Sequence, residues 1–106
     1  MNTNRQNEAA IIGICSICTR GMVDGISADE HHWIPQSKGG KKGPKSLIHR
    51  MCHSKIHSVW SEKELAKTYN NPDIIKAAPE MQEFLEWIAN KRPDFYLKTK
   101  MHNRRR

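Results

Sequence analysis

The residues best equipped for chemistry sit in the first half of the chain, and the first group of them is rich in sulfur. Cys15 and Cys18 are separated by two residues, as are His49 and Cys52, and together these hold all three cysteines of the chain. Two such knuckles brought together make a closed tetrahedral site for a structural Zn2+, here Cys3His, because thiolates and neutral imidazole are the ligands this borderline-soft ion takes. An odd cysteine count fits metal ligation in a reducing cytoplasm better than a disulfide framework. The plainer alternative is three buried thiols and a strand-end histidine, but the paired spacing favours the metal. Zinc in small domains contributes on the order of 10 kcal/mol to folding. A chain of 106 residues, 37% of them hydrophobic, has a small core and gains from such a staple.

The second group is imidazole. Five of the six histidines fall between residues 29 and 57. His53 and His57 are four apart, so on a helix they share one face and aim at one point. His31 and His32 are adjacent, and on a strand neighbours project to opposite sides, so one of them joins the helix pair unless the strand twists or bulges. One strand histidine then ligates a divalent ion with His53 and His57, and the other acts on a nearby water. Imidazole suits both tasks, being a common metal ligand with an ordinary pKa of about 6.5. Solvated surface histidines are the alternative, and five in so short a window argue against it. His49, His53 and His57 also form one helical stripe, which gives His49 a second destination; placing it with zinc supplies the thiols with their fourth ligand.

Positioning these groups requires a hairpin and a helix. "AAIIGICSIC" reads as an approach to a knuckle with a short strand, ending in a turn at "TRG". "ISADEHHWIP" reads as the first strand of a hairpin, stopped by Pro35, which cannot donate to a ladder. "QSKGGKKGPK" reads as a flexible loop and "SLIH" as the returning strand. "CHSKIHSVW" starts a helix with Cys52, Ile56, Val59 and Trp60 inward. Ser61 and Glu64 form a capping-box pattern opening a second helix with Leu65 and Tyr69 inside, and Pro72 and Pro79 sit at the first turns of two more. Met81, Phe84, Leu85 and Ile88 make the apolar stripe of the last one.

Charge is uneven. Eighteen Lys plus Arg against eleven Asp plus Glu leave +7, an excess that favours a polyanionic partner. From residue 31 to residue 61 there are six cations and no carboxylate, whereas residues 62–94 hold seven acids. Lys38, Lys41, Lys42 and Lys45 in the loop are candidates for phosphate contacts, and Arg104, Arg105 and Arg106 for salt-sensitive attraction; solvated charge is the alternative for each. Trp33, beside the histidine pair, has hairpin packing as its simplest role. No stretch approaches the roughly 18 apolar residues of a membrane span, and no leader pattern opens the chain. A cytoplasmic protein without membrane attachment is expected.

"HHWIP" followed by "SKGG" and then "CHSKIH" resembles the HNH endonucleases, the ββα-metal or His-Me finger group, in their zinc-stabilised bacterial form. The resemblance spans residues 15–57, about half the chain; "SEKELAKTYN" and "WIANKRPDFY" resemble the C-terminal parts of small proteins of this type. By position it implies that His32 is the general base, and that His31, His53 and His57 ligate one catalytic divalent cation, Mg2+, Mn2+, Ni2+ or Zn2+. Three imidazoles accept zinc or nickel more readily than magnesium. The implied reaction is hydrolysis of phosphodiester bonds in nucleic acid, most of all DNA, leaving 5′-phosphates. The family's middle asparagine has no counterpart, since no asparagine lies between Trp33 and Tyr69, so a backbone carbonyl or the Ser46 hydroxyl has to orient His32. If neither does, the chain is a catalytically inactive zinc-dependent DNA-binding module instead.

The expected fold is α+β, a zinc-stapled ββα-metal core over residues 11–60, preceded by a flexible tail at 1–10. A helical extension at 61–96 packs on the core and a basic tail follows at 97–106.

Overall fold

The computed structural model describes residues 10–98. Residues 1–9 of the tail expected at 1–10, and residues 99–106 of the basic tail expected at 97–106, with the arginines 104–106, lie outside them. The chain opens with β1 (Ile11–Ile14), which pairs antiparallel with β2 (Gly21–Val23) across a turn that carries Cys15 and Cys18. That turn is closed by two backbone bonds, from the Cys15 N–H to the Arg20 carbonyl at 3.0 Å and from the Thr19 N–H to the Cys15 carbonyl at 2.8 Å. Thr19 adopts φ 63° to complete it, a left-handed conformation that a β-branched residue rarely accepts. β2 is an addition to the sequence reading, which had only a turn at this point. Three residues, "GMV", carry too little periodicity to announce a strand, and their partner is supplied by the folded knuckle.

A second antiparallel pair joins β3 (Ala28–His32) to β4 (Lys45–His49), with His31 opposite Ser46 and His32 opposite Lys45. Alternation along β3 sets Asp29 and His31 on one face and Glu30 and His32 on the other. The first face is the covered one: His31 is 1% exposed and Ile48, opposite Asp29, is fully buried. On the second face Glu30 meets the Lys45 ammonium at 3.6 Å, both largely solvated, and Leu47 is exposed.

The loop between β3 and β4 is not a flexible glycine linker but a series of tight turns. The Pro35 carbonyl accepts from the N–H groups of Lys38 (2.8 Å) and Gly40 (3.1 Å), the Trp33 N–H reaches the Pro44 carbonyl at 3.1 Å, and residues Gln36–Lys38 form one 3₁₀ turn. Ser37 hydrogen-bonds Glu62, tying the loop to the helical half.

Four helices follow: α1 (Arg50–Val59), α2 (Glu62–Lys67), α3 (Pro72–Ala77) and α4 (Pro79–Ile88). α1 packs against both β3 and β4. Cys52, Ile56 and Trp60 are buried, at the spacing expected of one helical face, while Val59 is only partly covered. The Ser61–Glu64 capping box is present in both directions, and Asn71 caps α3 ahead of Pro72. Leu65 is buried, Tyr69 stacks on Trp60 with ring centroids 4.2 Å apart, and Met81 and Ile88 bury the inner side of α4 with Phe84 and Leu85 half-buried. A single cluster runs from Cys15, Ile17 and Met22 through Trp33, Ile48, Cys52 and Ile56 to Leu65, Ile75 and Met81. The helical extension and the strands therefore share one core. Among the described residues, no helix is long and apolar enough to cross a membrane.

Gly40 is where the loop tolerates nothing larger. A Cβ there would stand 1.8 Å from the Ile34 carbonyl oxygen, backbone that cannot swing aside, whereas at Gly43 the nearest atom would be at 3.4 Å. Gly40→Ala is expected to cost at least about 2 kcal/mol, within the range for overpacking, and Gly43→Ala far less. Midpoints of urea unfolding at unchanged slope check this.

Candidate metal centres

The sulfur-rich group assembles as the spacing suggests. Cys15 and Cys18 come from the β1–β2 turn, His49 is the last residue of β4 and the cap of α1, and Cys52 lies in the first turn of α1. Their ligand atoms all lie within 4.8 Å of one another. Cys15 Sγ is 3.8 Å from Cys52 Sγ and Cys18 Sγ is 3.1 Å from His49 Nδ1. The edge of a tetrahedron with metal–sulfur bonds of about 2.3 Å is about 3.8 Å, so the two buried sulfurs already stand at ligand spacing. This Cys3His group can hold a structural metal such as zinc.

Its electrostatics fit a cation. Cys15 is held well below the ordinary thiol range, first by its hydrogen bond with Cys18 and then by that with Cys52, and Cys52 is pushed up by its hydrogen bond with Cys15. Negative charge thus centres on Cys15, and a second thiolate beside it is opposed until a cation offsets both. Burial works against charging His49, yet the hydrogen bonds and charge of Cys15 and Cys18 outweigh it and raise its imidazole to about 9. The pocket draws positive charge.

Around the ligands lies a layer the sequence reading missed. The His49 Nε2–H donates to the Pro93 carbonyl at 3.0 Å, which leaves Nδ1 turned to the sulfurs. A carbonyl on the far nitrogen fixes the tautomer of a ligating histidine in this way. Arg20 donates from Nε to the Lys91 carbonyl (3.1 Å) and from Nη2 to the Arg92 carbonyl (2.6 Å), while Nη1 approaches Cys18 Sγ at 3.4 Å. Three consecutive carbonyls after α4 thereby hang on the sulfur site. A divalent ion with three thiolates keeps one negative charge in excess, and the guanidinium offsets it. An arginine two residues after Cys18 was the only hint available, since backbone carbonyls leave no trace in sequence.

The imidazole group also converges. His31, His53 and His57 each present a ring nitrogen, and these atoms lie within 4.8 Å of one another. Ring centroids are 5.0 Å apart for His31 and His53, 5.5 Å for His31 and His57, and 4.8 Å for His53 and His57. His31 is buried edge-on against Trp33, and neither of its ring nitrogens has a hydrogen-bond partner. A buried polar nitrogen left without a partner costs about 1–3 kcal/mol, a cost that a water or an ion on the ring would remove. Burial, followed by the charges of His53, His57 and His32, lowers His31 to about 3; desolvation and His53 lower His57 as well. Both stay neutral at physiological pH with lone pairs available to a cation. His53 is further held by Asp29, whose carboxylate oxygen lies 2.9 Å from its Nδ1. Burial raises Asp29, but the hydrogen bond and charge of His53 keep it below the ordinary carboxylate range.

His32 is not one of the three converging histidines. It ends β3 half-buried, on the pleat side shared with Glu30, opposite Lys45 in register. Ser46 sits across from His31 instead, and its Oγ accepts the indole N–H of Trp33 at 3.0 Å. Lys38, Lys41, Lys42 and Lys45 are all exposed, Lys45 beside Glu30.

Stripping the Cys3His metal with a strong chelator is expected to abolish the cooperative fold, read as loss of helical circular dichroism that added zinc restores. With metal bound, Arg20→Ala should lower unfolding free energy by about 1.5–3 kcal/mol, the value of hydrogen bonds from a charged donor. It should also speed amide exchange in residues 91–97. Arg20→Lys restores the charge without the fork and recovers only part.

No protein-family model matches the chain, and no solved structure matches it. It is similar to the protein printed as "Uncharacterized protein YisB" of Bacillus subtilis (strain 168), with 34% identity over 96 residues that cover 91% of this chain and 93% of the relative. Identity at that level over nearly the full length of both proteins places the chain in the family of YisB.

Proposed function

We propose that this chain is a metal-dependent endonuclease of the ββα-metal, or HNH, type that hydrolyses phosphodiester bonds of DNA. The observation that carries the reading is the buried, partnerless His31 meeting His53 and His57 between a β-hairpin and the helix that follows it. Supporting it are the order strand, loop, strand, helix over β3, β4 and α1, and the exposed loop lysines beside the end of β3.

In this reading His31, His53 and His57 hold one divalent cation, and the Cys3His group holds zinc for shape alone. The cation, when bound, supplies Lewis acidity for the charge that develops on phosphorus oxygens and on the departing 3′ oxygen. The protein's own groups do the rest. His31, buried and neutral, is anchored by Trp33 and keeps one side of the site dry. His57, exposed at its outer edge, leaves the other side open to a phosphodiester. His32 takes a proton from the attacking water, with products carrying 5′-phosphates. To do so it must serve a substrate that passes over the end of β3, because its pleat side is the one away from the other three. The lysines 38, 41 and 42 extend from the same end and are free to meet flanking phosphates.

The placement of His32 is also the specific observation favouring a second reading, a DNA-binding module that does not turn over. Supercoiled plasmid incubated with Mg2+, Mn2+, Ni2+ or Zn2+ separates the two. Wild type is expected to nick it, His57→Ala to lose activity, and His32→Ala to lose about 10²–10⁴-fold in rate while still binding the ion, the usual worth of a general base. If wild type and His32→Ala both bind DNA and neither nicks it with any of these ions, the enzyme reading is wrong.

A further inference from the structure

We infer that Asp29 is the positioning residue of the imidazole site: by accepting from His53 Nδ1 it fixes the tautomer that turns Nε2 toward the cation. It thereby sets how tightly the site holds that cation. The inference rests on the reading above, that His31, His53 and His57 share a divalent ion.

The geometry is specific. Asp29 Oδ2 lies 2.9 Å from His53 Nδ1, and Asp29 Oδ1 accepts the Glu30 backbone N–H at 3.0 Å. Both oxygens are therefore engaged by protein donors, one of them a backbone group that stops the carboxylate from rotating. Asp29 lies two residues before His31 on β3, so both side chains leave the same face of the strand toward α1. One strand supplies a ligand and the group that aims another ligand. An ionised carboxylate only accepts, so a neutral His53 paired with it must carry its proton on Nδ1 and keep the Nε2 lone pair. The ring is also locked in orientation, because rotation would break the 2.9 Å contact. His31 shows the contrast, buried without a hydrogen-bond partner on either nitrogen and aimed only by packing, edge-on against Trp33 and the other two imidazoles. Carboxylate partners of ligating histidines raise ligand basicity, and their loss commonly costs 10–100-fold in metal affinity. Without Asp29, the His53 proton is free to settle on Nε2 and block the lone pair the cation needs.

The test uses the full chain with zinc retained in the Cys3His site, and two readouts besides activity. Ring 15N–1H correlation spectra at about pH 8, above the ordinary imidazole range, report the His53 tautomer before any second ion is added. Calorimetric titration with Ni2+ reports affinity at the imidazole site. Wild type is expected to show the proton on Nδ1, and Asp29→Ala to bind Ni2+ about 10–100-fold more weakly. Asp29→Asn, an isostere that keeps a weaker acceptor, should fall between them with one zinc per chain and unchanged unfolding. It serves if the alanine variant does not fold. A His53 proton on Nε2 in wild type overturns the inference, as does Ni2+ affinity equal in wild type and Asp29→Asn, with the reading of a shared ion left standing. A wild type that takes up no second cation overturns that reading and the inference together.

Discussion

The fold depends on how two distant pieces of chain are brought to one point by the Cys3His group. The β1–β2 turn arrives with Cys15 and Cys18, and the junction of β4 with α1 arrives with His49 and Cys52. The pieces share buried side chains, Ile17 and Met22 with Ile48 and Ile56, but no backbone pairing: β1 and β2 form a sheet of two short strands, β3 and β4 form another, and the two sheets do not pair. Two-stranded ribbons are marginal alone in water. The fully buried members of the core include Cys15 and Cys52 themselves, so the ligands are also packing residues, and a cation shared by them fastens the core as well as the backbone. The left-handed Thr19 in the knuckle fits this view, since strain of that kind persists where the surroundings over-determine it.

That constraint reaches beyond its own ligands in two directions. Toward the C-terminus, Arg20 and His49 take the carbonyls of Lys91, Arg92 and Pro93, after which the chain runs on past Arg50, whose guanidinium lies over the Tyr96 ring, to the Leu97 N–H beside Met51 Sδ. The segment following α4 is thus strapped over the head of α1. Toward the imidazole group, the link is the single peptide step from Cys52 to His53. Consecutive residues on a helix diverge by about 100°, so Cys52 points to the sulfurs while His53 points to His31 and His57. Fixing α1 at its first turn fixes the direction of both.

Much of this was legible in the sequence because it rests on local rules. Two knuckle spacings foretold the sulfur group, the four-residue interval of His53 and His57 foretold a shared face, and the capping box at Ser61 and the prolines at 72 and 79 marked helix starts that the structure keeps. Asp29 was within reach of the same rules, standing two residues from His31 on a strand, but a lone carboxylate among histidines carries no spacing signal of its own. What was illegible depends on tertiary partners. β2 exists because the knuckle delivers it to β1; Arg20 meets the carbonyls of Lys91 and Arg92 across separations of 71 and 72 positions, and His49 meets that of Pro93 across 44. The loop read as flexible from its glycines and lysines is ordered by turns around Pro35 and by Gly40 fitting against Ile34, and glycine content alone does not distinguish freedom from close approach.

The contrast between the two groups also shows why they should not exchange roles. In the sulfur group Cys15, His49 and Cys52 are buried and Cys18 half-buried, the histidine is raised by its cysteine neighbours, and Arg20 lies against Cys18. Such a pocket is electrically closed, with no direction left for a substrate. In the imidazole group burial holds His31 and His57 below the ordinary imidazole range, His57 stands at the surface, and the carboxylate of Asp29 spends both oxygens on protein donors. A divalent ion there would keep most of its positive charge and one open side, and an anion arriving at that side would meet a lysine-bearing loop in which Glu62 is engaged by Ser37 and Glu30 by Lys45. Charge left uncompensated in one centre and compensated in the other is what lets a single ten-residue helix serve both without confusing them.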